Sequence, residues 1–245
     1  MRVAALLALL LAALGAEDPW RLEIPEGRAT PVGGSARVLA LSGDHRLALR
    51  VAWLVPGRYA SLATAPVRDI DAFAAARAIP EVSVVINGGY FDRDRNPLGR
   101  LVVDGVERTP ALVRAPLSGL AFSDGGGLQL GADVTVEARH AIQAGPFLID
   151  PGGGFGIRRR DGPTARRSAL AIAGDGTVLA VITTSQATLH AFAGVLQALP
   201  AALELPPLDA ALNLDGGPST GLVISGEEPV EPSGFVVSAW GFVPR

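Results

Sequence analysis

Near its C-terminal end the sequence places an amide and a carboxylate two residues apart, followed at once by two glycines. The segment Ala211–Gly221 reads Ala-Leu-Asn-Leu-Asp-Gly-Gly-Pro-Ser-Thr-Gly. Side chains two apart in a strand point to the same face, so Asn213 and Asp215 project together, and glycine lets the backbone approach a ligand. Such a group could bind a polyol or stabilise an anion, although an Asp-Gly turn fits the same residues. The candidates are Asp215 for catalysis and Asn213, Gly216, Gly217 and Ser219 for binding.

Two upstream segments repeat this design of a polar residue followed by glycine. Residues 84–92 read Val-Val-Ile-Asn-Gly-Gly-Tyr-Phe-Asp, and residues 143–149 read Gln-Ala-Gly-Pro-Phe-Leu-Ile. A structural turn remains the alternative for each. The candidate substrate-binding residues from these segments are Asn87, Gly88, Gly89, Gln143 and Gly145.

Arginine supplies all the basic side chains, because the sequence contains no lysine among its 21 basic residues. Any side-chain contact with an anion must therefore come from arginine. Arg167 leads directly into the apolar run 168–172, and a guanidinium at a strand start can bind a phosphate bidentately. The run Arg158–Arg160 is interpreted as solvated loop charge.

Metal and thiolate chemistry have weak support in the sequence. There is no cysteine, and His45, His140 and His190 lack the spacing of metal ligands. Residues 92–96 have the alternating oxygens of a calcium loop, but Pro97 occupies its glycine position and Val103 its final acidic position. We therefore predict no cofactor and no metal site, with a divalent cation left as an open alternative.

Composition and the N-terminus indicate an exported globular protein. Hydrophobic residues make up 49% of the chain, charged residues 18%, and the net charge is −3, which predicts a large core and no nucleic-acid partner. Residues 1–16 have a basic start, an apolar run and a small-residue cleavage site, which is typical of a signal peptide. We expect residues 17–245 to form a single domain, periplasmic or secreted, with no membrane span. The oligomeric state is left open.

The elements that must position these residues are mostly hairpins. Turns at Gly43-Asp44, Asp104-Gly105 and residues 123–127 and 174–176 each separate two strand-like runs. Residues 69–78 and 188–199 are predicted helices that cover one sheet face, with Pro80 and Pro200 ending them. Residues 134–138 are predicted to be a strand. The fold class is therefore α+β, with a mixed or largely antiparallel sheet and a few covering helices.

Five short motifs in order resemble the phosphodiester glycosidase family, which includes bacterial exopolysaccharide-associated proteins. The resemblance covers about residues 35 to 243. Its motifs are Asn87-Gly-Gly-Tyr-Phe, Pro97-Leu-Gly with Asp104-Gly105, Gly145-Pro146, Arg167-Ser-Ala-Leu and Asn213-Leu-Asp-Gly-Gly.

The resemblance implies an enzyme that hydrolyses a glycosyl 1-phosphodiester, such as an N-acetylglucosamine phosphate diester. Arg167 would bind the phosphate, and Asp215 would act as acid/base or nucleophile. Asn87 and Asn213 would bind sugar hydroxyls. The sequence departs from the family pattern in two places: Ala171 and Pro218 stand where the family usually has glycine.

An ordinary glycosidase has a second carboxylate, and Asp92, Asp150 and Glu137 are its candidates. The alternatives are a non-catalytic envelope protein that binds glycan or exopolysaccharide, a structural assembly factor for exopolysaccharide, and a metal-assisted phosphodiesterase. The last would use Asp92, Asp94 and Asp215 as oxygen ligands.

Overall fold

The structure is a computed structural model, and it describes residues 19–245. The predicted signal peptide, residues 1–16, lies outside the described residues. Within residues 19–245, all strand pairs that form the three sheets are antiparallel. The predicted α+β class with a largely antiparallel sheet is confirmed, although strands make up much more of the fold than helices.

The largest sheet has eight strands. From edge to edge its order is β1 (Arg21–Thr30), β2 (Gly33–Ser42), β3 (His45–Leu54), β14 (Val178–Thr183), β13 (Ser168–Ala173), β15 (Leu208–Asn213), β11 (Phe147–Asp150) and β12 (Gly154–Phe155).

Two smaller sheets complete the strand framework. The five-stranded sheet has the order β7 (Val106–Thr109), β6 (Leu101–Val103), β10 (His140–Ala144), β8 (Gly119–Ser123) and β9 (Gln129–Gly131). The four-stranded sheet has the order β16 (Leu222–Ile224), β5 (Val84–Asn87), β17 (Ala239–Pro244) and β4 (Tyr59–Thr64).

The four predicted hairpins are confirmed. The two-residue turn Gly43-Asp44 joins β2 to β3, with Ser42 opposite His45, and Asp104-Gly105 joins β6 to β7. The β8–β9 and β13–β14 pairs form around the other two predicted turns. Asp, Asn and Gly tolerate the left-handed backbone that such turns require, and Asp104 and Gly105 both have positive φ.

Residues 134–138 do not form the predicted strand. Their carbonyl groups are bonded by a side chain instead: Arg100 Nη1 donates to Val134 O at 3.1 Å and to Val136 O at 2.5 Å. The apolar side chains Val134, Val136 and Ala138 still pack against a core cluster, so their alternation reflects burial without strand pairing, which a local pattern cannot distinguish.

The two helices cover different sheets, so the prediction of one shared face is wrong. Helix α1 (Ala72–Arg77) packs on β17, β5 and β4, and helix α2 (Leu189–Ala202) packs on β1, β11 and β15. Helix α2 buries Phe192, Leu196 and Leu199 against the outer face of the eight-stranded sheet. The other face of that sheet packs against the two smaller sheets through the main core, which includes Leu170, Leu212 and Trp240.

The helix boundaries differ slightly from the predicted ones. Helix α1 begins after Asp71, which accepts the Ala74 N–H at 2.8 Å, and Ile70 before it is half exposed. Thr188 caps helix α2 as predicted, accepting the Ala191 N–H at 3.1 Å. Pro200 lies inside helix α2 rather than ending it; its missing N–H removes one hydrogen bond of the helix, which ends two residues later at Ala202. No helix among residues 19–245 has the length and hydropathy needed to cross a membrane.

Candidate active site

The candidate residues meet where strands from two sheets end or begin. Asn87 ends β5 in the four-stranded sheet, and Asn213 ends β15 in the eight-stranded sheet. Strand β13 runs beside β15 with Ala169 opposite Asn213, so residues just before β13 lie close to the residues just after β15. Three segments far apart in sequence are therefore joined at one place.

Asn87 connects these segments through its side-chain amide, which is fully buried. Its Nδ2 donates to Asp215 O at 2.7 Å and to Gly88 O at 3.5 Å. Its Oδ1 accepts from Ser168 Oγ at 2.7 Å and from Gly221 N at 3.2 Å. All four hydrogen-bonding positions of the amide are thus used by the protein. The structure gives Asn87 a positioning role for the Asp215 backbone in place of the expected contact with sugar hydroxyls.

Asp215 presents a partly exposed carboxylate directly after β15. Its Oδ1 accepts the Gly216 N–H at 2.8 Å, and its own N–H donates to Gly88 O at 2.9 Å. Burial raises the pKa of Asp215, opposed by hydrogen bonds from the Ser219 hydroxyl and the Gly216 N–H. A carboxyl group with a raised pKa that still reaches the surface is suited to proton transfer.

Asn213 is buried beside Asp215, but its amide faces the protein interior. Its Nδ2 lies 2.5 Å from Tyr90 Oη, 3.1 Å from Gly145 O and 2.9 Å from Leu214 O. Its Oδ1 is buried without a hydrogen-bond partner among the described residues. The amide therefore fixes the end of β15 against the Gly145-Pro146 segment.

Tyr90 contacts the site residues Asn213 and Gly145 and was not among the predicted site residues. Its hydroxyl donates to Gly145 O at 2.7 Å and accepts from Asn213. Burial and the negative charge of Asp215 raise the pKa of Tyr90 to about 12, while the positive charge of Arg167 acts in the opposite direction. Its hydroxyl therefore lies within the electrostatic reach of both groups. The only sequence signal for it was its place directly after Asn-Gly-Gly.

Arg167 is held by backbone carbonyl groups, with part of its guanidinium exposed. Its Nε donates to Ala187 O at 2.9 Å, and its Nη2 donates to Pro163 O. Within residues 19–245 it makes no ion pair with a carboxylate, and Nη1 has no protein acceptor. Burial lowers the pKa of Arg167, and Tyr90 acts against this shift. An oriented cation with N–H groups to spare can bind an anion.

The two glycines after Asp215 pack against the segment before β13. Gly217 N donates to Arg166 O at 2.8 Å, and a Cβ on Gly216 would lie 2.6 Å from that same oxygen. Pro218 lies in the first turn of a short 3₁₀ helix (Gly217–Ser219), where a missing N–H breaks no helical hydrogen bond. Its carbonyl accepts the Ser233 N–H at 2.8 Å, so proline is accommodated at this departure from the family pattern.

The remaining predicted binding residues have structural contacts. Gln143 is buried, its Oε1 accepting from Arg100 N and Leu112 N, both at 2.9 Å, and its Nε2 donating to Leu112 O and Leu117 O. No part of this amide is left for a sugar, in contrast to the prediction. Gly145 O accepts from Tyr90 and Asn213.

Gly88 and Gly89 bring the chain close to neighbouring strands. Their N–H groups donate to Ser238 O and Ser238 Oγ, and a Cβ on Gly89 would lie 2.6 Å from Gln143 O. Their lack of a side chain is therefore used for packing around the site.

None of the candidate second carboxylates acts on the pKa of Asp215. Asp92 closes its own turn by accepting from Asp94 N, Asn96 N and Asn96 Nδ2. Asp150 is exposed, and Glu137 is exposed in a surface cleft with Arg139. Across residues 19–245, no three side chains of His, Cys, Asp or Glu are grouped as metal ligands would be. Asp92, Asp94 and Asp215 are thus not brought together as the metal-assisted alternative requires.

The chain is similar to a known protein family. A family model described as phosphodiester glycosidase (NAGPA) matches residues 80–241, which is more than half of the chain. No curated protein sequence gives a match.

Two solved structures share the fold. The zebrafish N-acetylglucosamine-1-phosphodiester alpha-N-acetylglucosaminidase catalytic domain, auto-inhibited by pro-peptide, has 14% identity and a TM-score of 0.63, over 95% of this chain and 91% of that one. A Burkholderia pseudomallei protein described as exported has 16% identity and a TM-score of 0.51, over 100% of this chain and 89% of that one.

Proposed function

The chain belongs to the phosphodiester glycosidase family, and on this basis we propose that it hydrolyses a glycosyl 1-phosphodiester, with an N-acetylglucosamine phosphate diester as the first substrate to test. The observation that carries the proposal is the contact of three segments through Asn87, whose Nδ2 donates to Asp215 O and whose Oδ1 accepts from the hydroxyl of Ser168, the residue after Arg167. The charges of Asp215 and Arg167 both act on the pKa of Tyr90. A cation for the phosphate and a titratable carboxylate therefore lie in adjoining segments at one place in the fold.

Arg167 is the proposed phosphate ligand. Its Nε and Nη2 are fixed on Ala187 O and Pro163 O, so the group is oriented before a ligand arrives. The remaining N–H groups can neutralise the phosphate, including the charge that develops on it as its bond to the sugar carbon breaks.

Asp215 is the proposed acid/base or nucleophile. A phosphate monoester held by an arginine is a good leaving group, because its oxygen is weakly basic, and it needs little help from a separate general acid. Asp215 can then act at the sugar carbon, either by taking a proton from the attacking water or by attack on that carbon. This division of roles requires a single carboxylate.

The Asp215→Asn variant tests the function. We expect turnover of an N-acetylglucosamine-1-phosphodiester to fall about a thousandfold, because the variant has neither a base nor a nucleophile at this position. Asp209→Asn is the matched control, since Asp209 is an exposed carboxylate on the same strand, β15.

A folded Asp215→Asn protein with near wild-type turnover would contradict the proposed role. Saccharide binding by the wild-type protein with no product after long incubation would favour the non-catalytic glycan-binding alternative.

We also propose that the protein acts in the periplasm or outside the cell. The signal-like features of residues 1–16 support this, as does the fold shared with a protein described as exported. N-terminal sequencing of the mature protein checks it: we expect Glu17 as the first residue, and a retained Met1 would contradict export by cleavage.

A further inference from the structure

A second arginine, Arg166, lies at the candidate site and has no role in the proposed mechanism. It directly precedes Arg167 and is partly buried. Its carbonyl accepts the Gly217 N–H at 2.8 Å, and its Nη2 donates to Gly217 O at 3.3 Å. The backbone and the side chain of Arg166 therefore both contact the residue two positions after Asp215.

The charge of Arg166 has no counter-ion among residues 19–245. Four arginines in this part of the chain are not exposed: Arg50, Arg100, Arg166 and Arg167. Arg50 and Arg100 each form an ion pair with a glutamate, whereas Arg166 and Arg167 form none within the same residues. Removing a charge from water without pairing it is unfavourable. The two partly buried arginines that lack a carboxylate are thus neighbours in sequence, at the candidate site, which makes this place suited to anions.

The side chains of the two arginines reach different parts of the fold. The guanidinium of Arg167 lies on two carbonyl groups in the segments before β13 and before α2, whereas that of Arg166 lies on Gly217 O. Neighbouring side chains of an extended chain point to opposite sides. The pair is therefore suited to two separate anionic groups of one ligand. With the phosphate on Arg167 and the sugar carbon at Asp215, Arg166 lies on the sugar side, because it contacts the segment that follows Asp215.

We propose that Arg166 is a further substrate-binding residue that binds an anionic substituent of the sugar, so that the preferred substrate is the phosphodiester of an acidic sugar. The inference rests on the proposed function, because it specifies the sugar bound at the same site. A carboxylate, as in a uronic acid, is the form to test, since a planar guanidinium binds both carboxylate oxygens at once.

Binding of three non-hydrolysable ligands to the unmodified protein tests the inference. In each, a CH₂ group replaces the oxygen between sugar and phosphorus. The first ligand has a neutral sugar, and the second has a carboxylate on the sugar. The third has a neutral sugar and a carboxylate on the group esterified to phosphorus. We expect calorimetry at low salt to show about tenfold tighter binding of the second ligand than of the first or the third.

Variants of Arg166 test whether this side chain causes the preference. Arg166→Gln should abolish the preference, because the amide carries no charge, and Arg166→Lys should keep part of it. Arg158→Gln is the matched control, since Arg158 is an exposed arginine in the loop before β13 and forms no ion pair within residues 19–245. The control should keep the whole preference.

Several results would overturn the inference. One is equal affinity of the unmodified protein for the neutral and the acidic sugar, including no binding of either. Another is a preference that Arg166→Gln retains. An equally strong preference for the third ligand, or an equal loss in Arg166→Gln and Arg158→Gln, would indicate general attraction by charge and would overturn it as well. Turnover of the neutral, oxygen-linked substrate tests the proposed function separately, so each can fail without the other.

Discussion

At the scale of single residues, the polar groups of the site fall into two kinds. The amides of Asn87 and Gln143 are buried and saturated by hydrogen bonds to the protein. Asp215 and Arg167 are partly exposed, and the charges of both act on the pKa of Tyr90. The groups of the second kind are therefore the ones left to contact a ligand, and the amides hold the surrounding backbone in place.

The partial burial of Asp215 predicts that the stability of the protein depends on pH. Burial raises its pKa above the ordinary value of 3.8. A carboxyl group with a higher pKa in the folded chain contributes stability below the unfolded pKa, and this contribution is lost as pH rises through the folded pKa. The free energy of unfolding of Asp215→Asn relative to wild type should therefore increase between about pH 4 and pH 7. Urea unfolding at several pH values measures it, and a difference that is constant with pH would contradict it.

The sequence could predict that the site residues lie close together. It could not predict that the side-chain amides of Asn87 and Gln143 make all their hydrogen bonds to the protein. The strand-end motifs placed Asn87, Arg167 and Asp215 in one site; Asn87 contacts Asp215 O and the hydroxyl of Ser168, next to Arg167, and a shared role in binding a substrate stays a prediction. The partners of the amides come from distant parts of the chain: Ser168 is 81 residues from Asn87, and Leu117 is 26 residues from Gln143. No local pattern contains such contacts, so a saturated amide and a ligand-binding amide have the same sequence signature.

At the scale of elements, the site depends on how closely the segment after β15 approaches the segment before β13. Hairpins were predictable because their turn residues are local. The strand prediction for residues 134–138 was wrong, and so was the prediction that both helices cover one sheet. Both features arise from long-range packing, which alternation and helical periodicity in the sequence do not encode. The close approach of the segment after β15 to the segment before β13 likewise depends on tertiary packing.

Two glycine variants test whether the close approach of these two segments matters. A Cβ on Gly216 would lie 2.6 Å from Arg166 O, whereas nothing lies within 4 Å of a Cβ on Gly217, whose φ is +59°. We expect Gly216→Ala to cost about 3 kcal/mol of unfolding free energy through overpacking and to lower turnover by displacing Asp215. Gly217→Ala should cost only about 1 kcal/mol, from backbone strain.

Chemical unfolding and turnover assays measure both glycine variants. Equal losses in the two variants would show that the close approach to Arg166 does not matter.

At the scale of the whole molecule, a buried ion pair ties two sheets together. Arg50 on β3 pairs with Glu227, which follows β16, and Ser35 on β2 bonds the same carboxylate. The side chains of Arg50 and Glu227 are only 9% and 13% exposed. The eight-stranded and four-stranded sheets are therefore linked at the side of the core.

Removal of this carboxylate should be costly. We expect Glu227→Ala to lower the free energy of unfolding by about 3 kcal/mol, because it leaves the Arg50 guanidinium buried and unpaired. Glu231→Ala is the control, since its pair with Arg77 is about half exposed and should contribute less than about 1 kcal/mol. Urea unfolding compares them, and equal losses would count against a role for the pair in joining the sheets.

The position of β17 has a consequence for the order in which the protein can be made. This strand lies between β4 and β5, and Thr64 at the end of β4 bonds Ala239, 175 residues later. A ribosome releases the N-terminal strands long before it supplies the strand that must separate them. The sheet that carries Asn87 therefore stays incomplete through most of translation, and it is completed as one late event, after the residues of β17 have emerged.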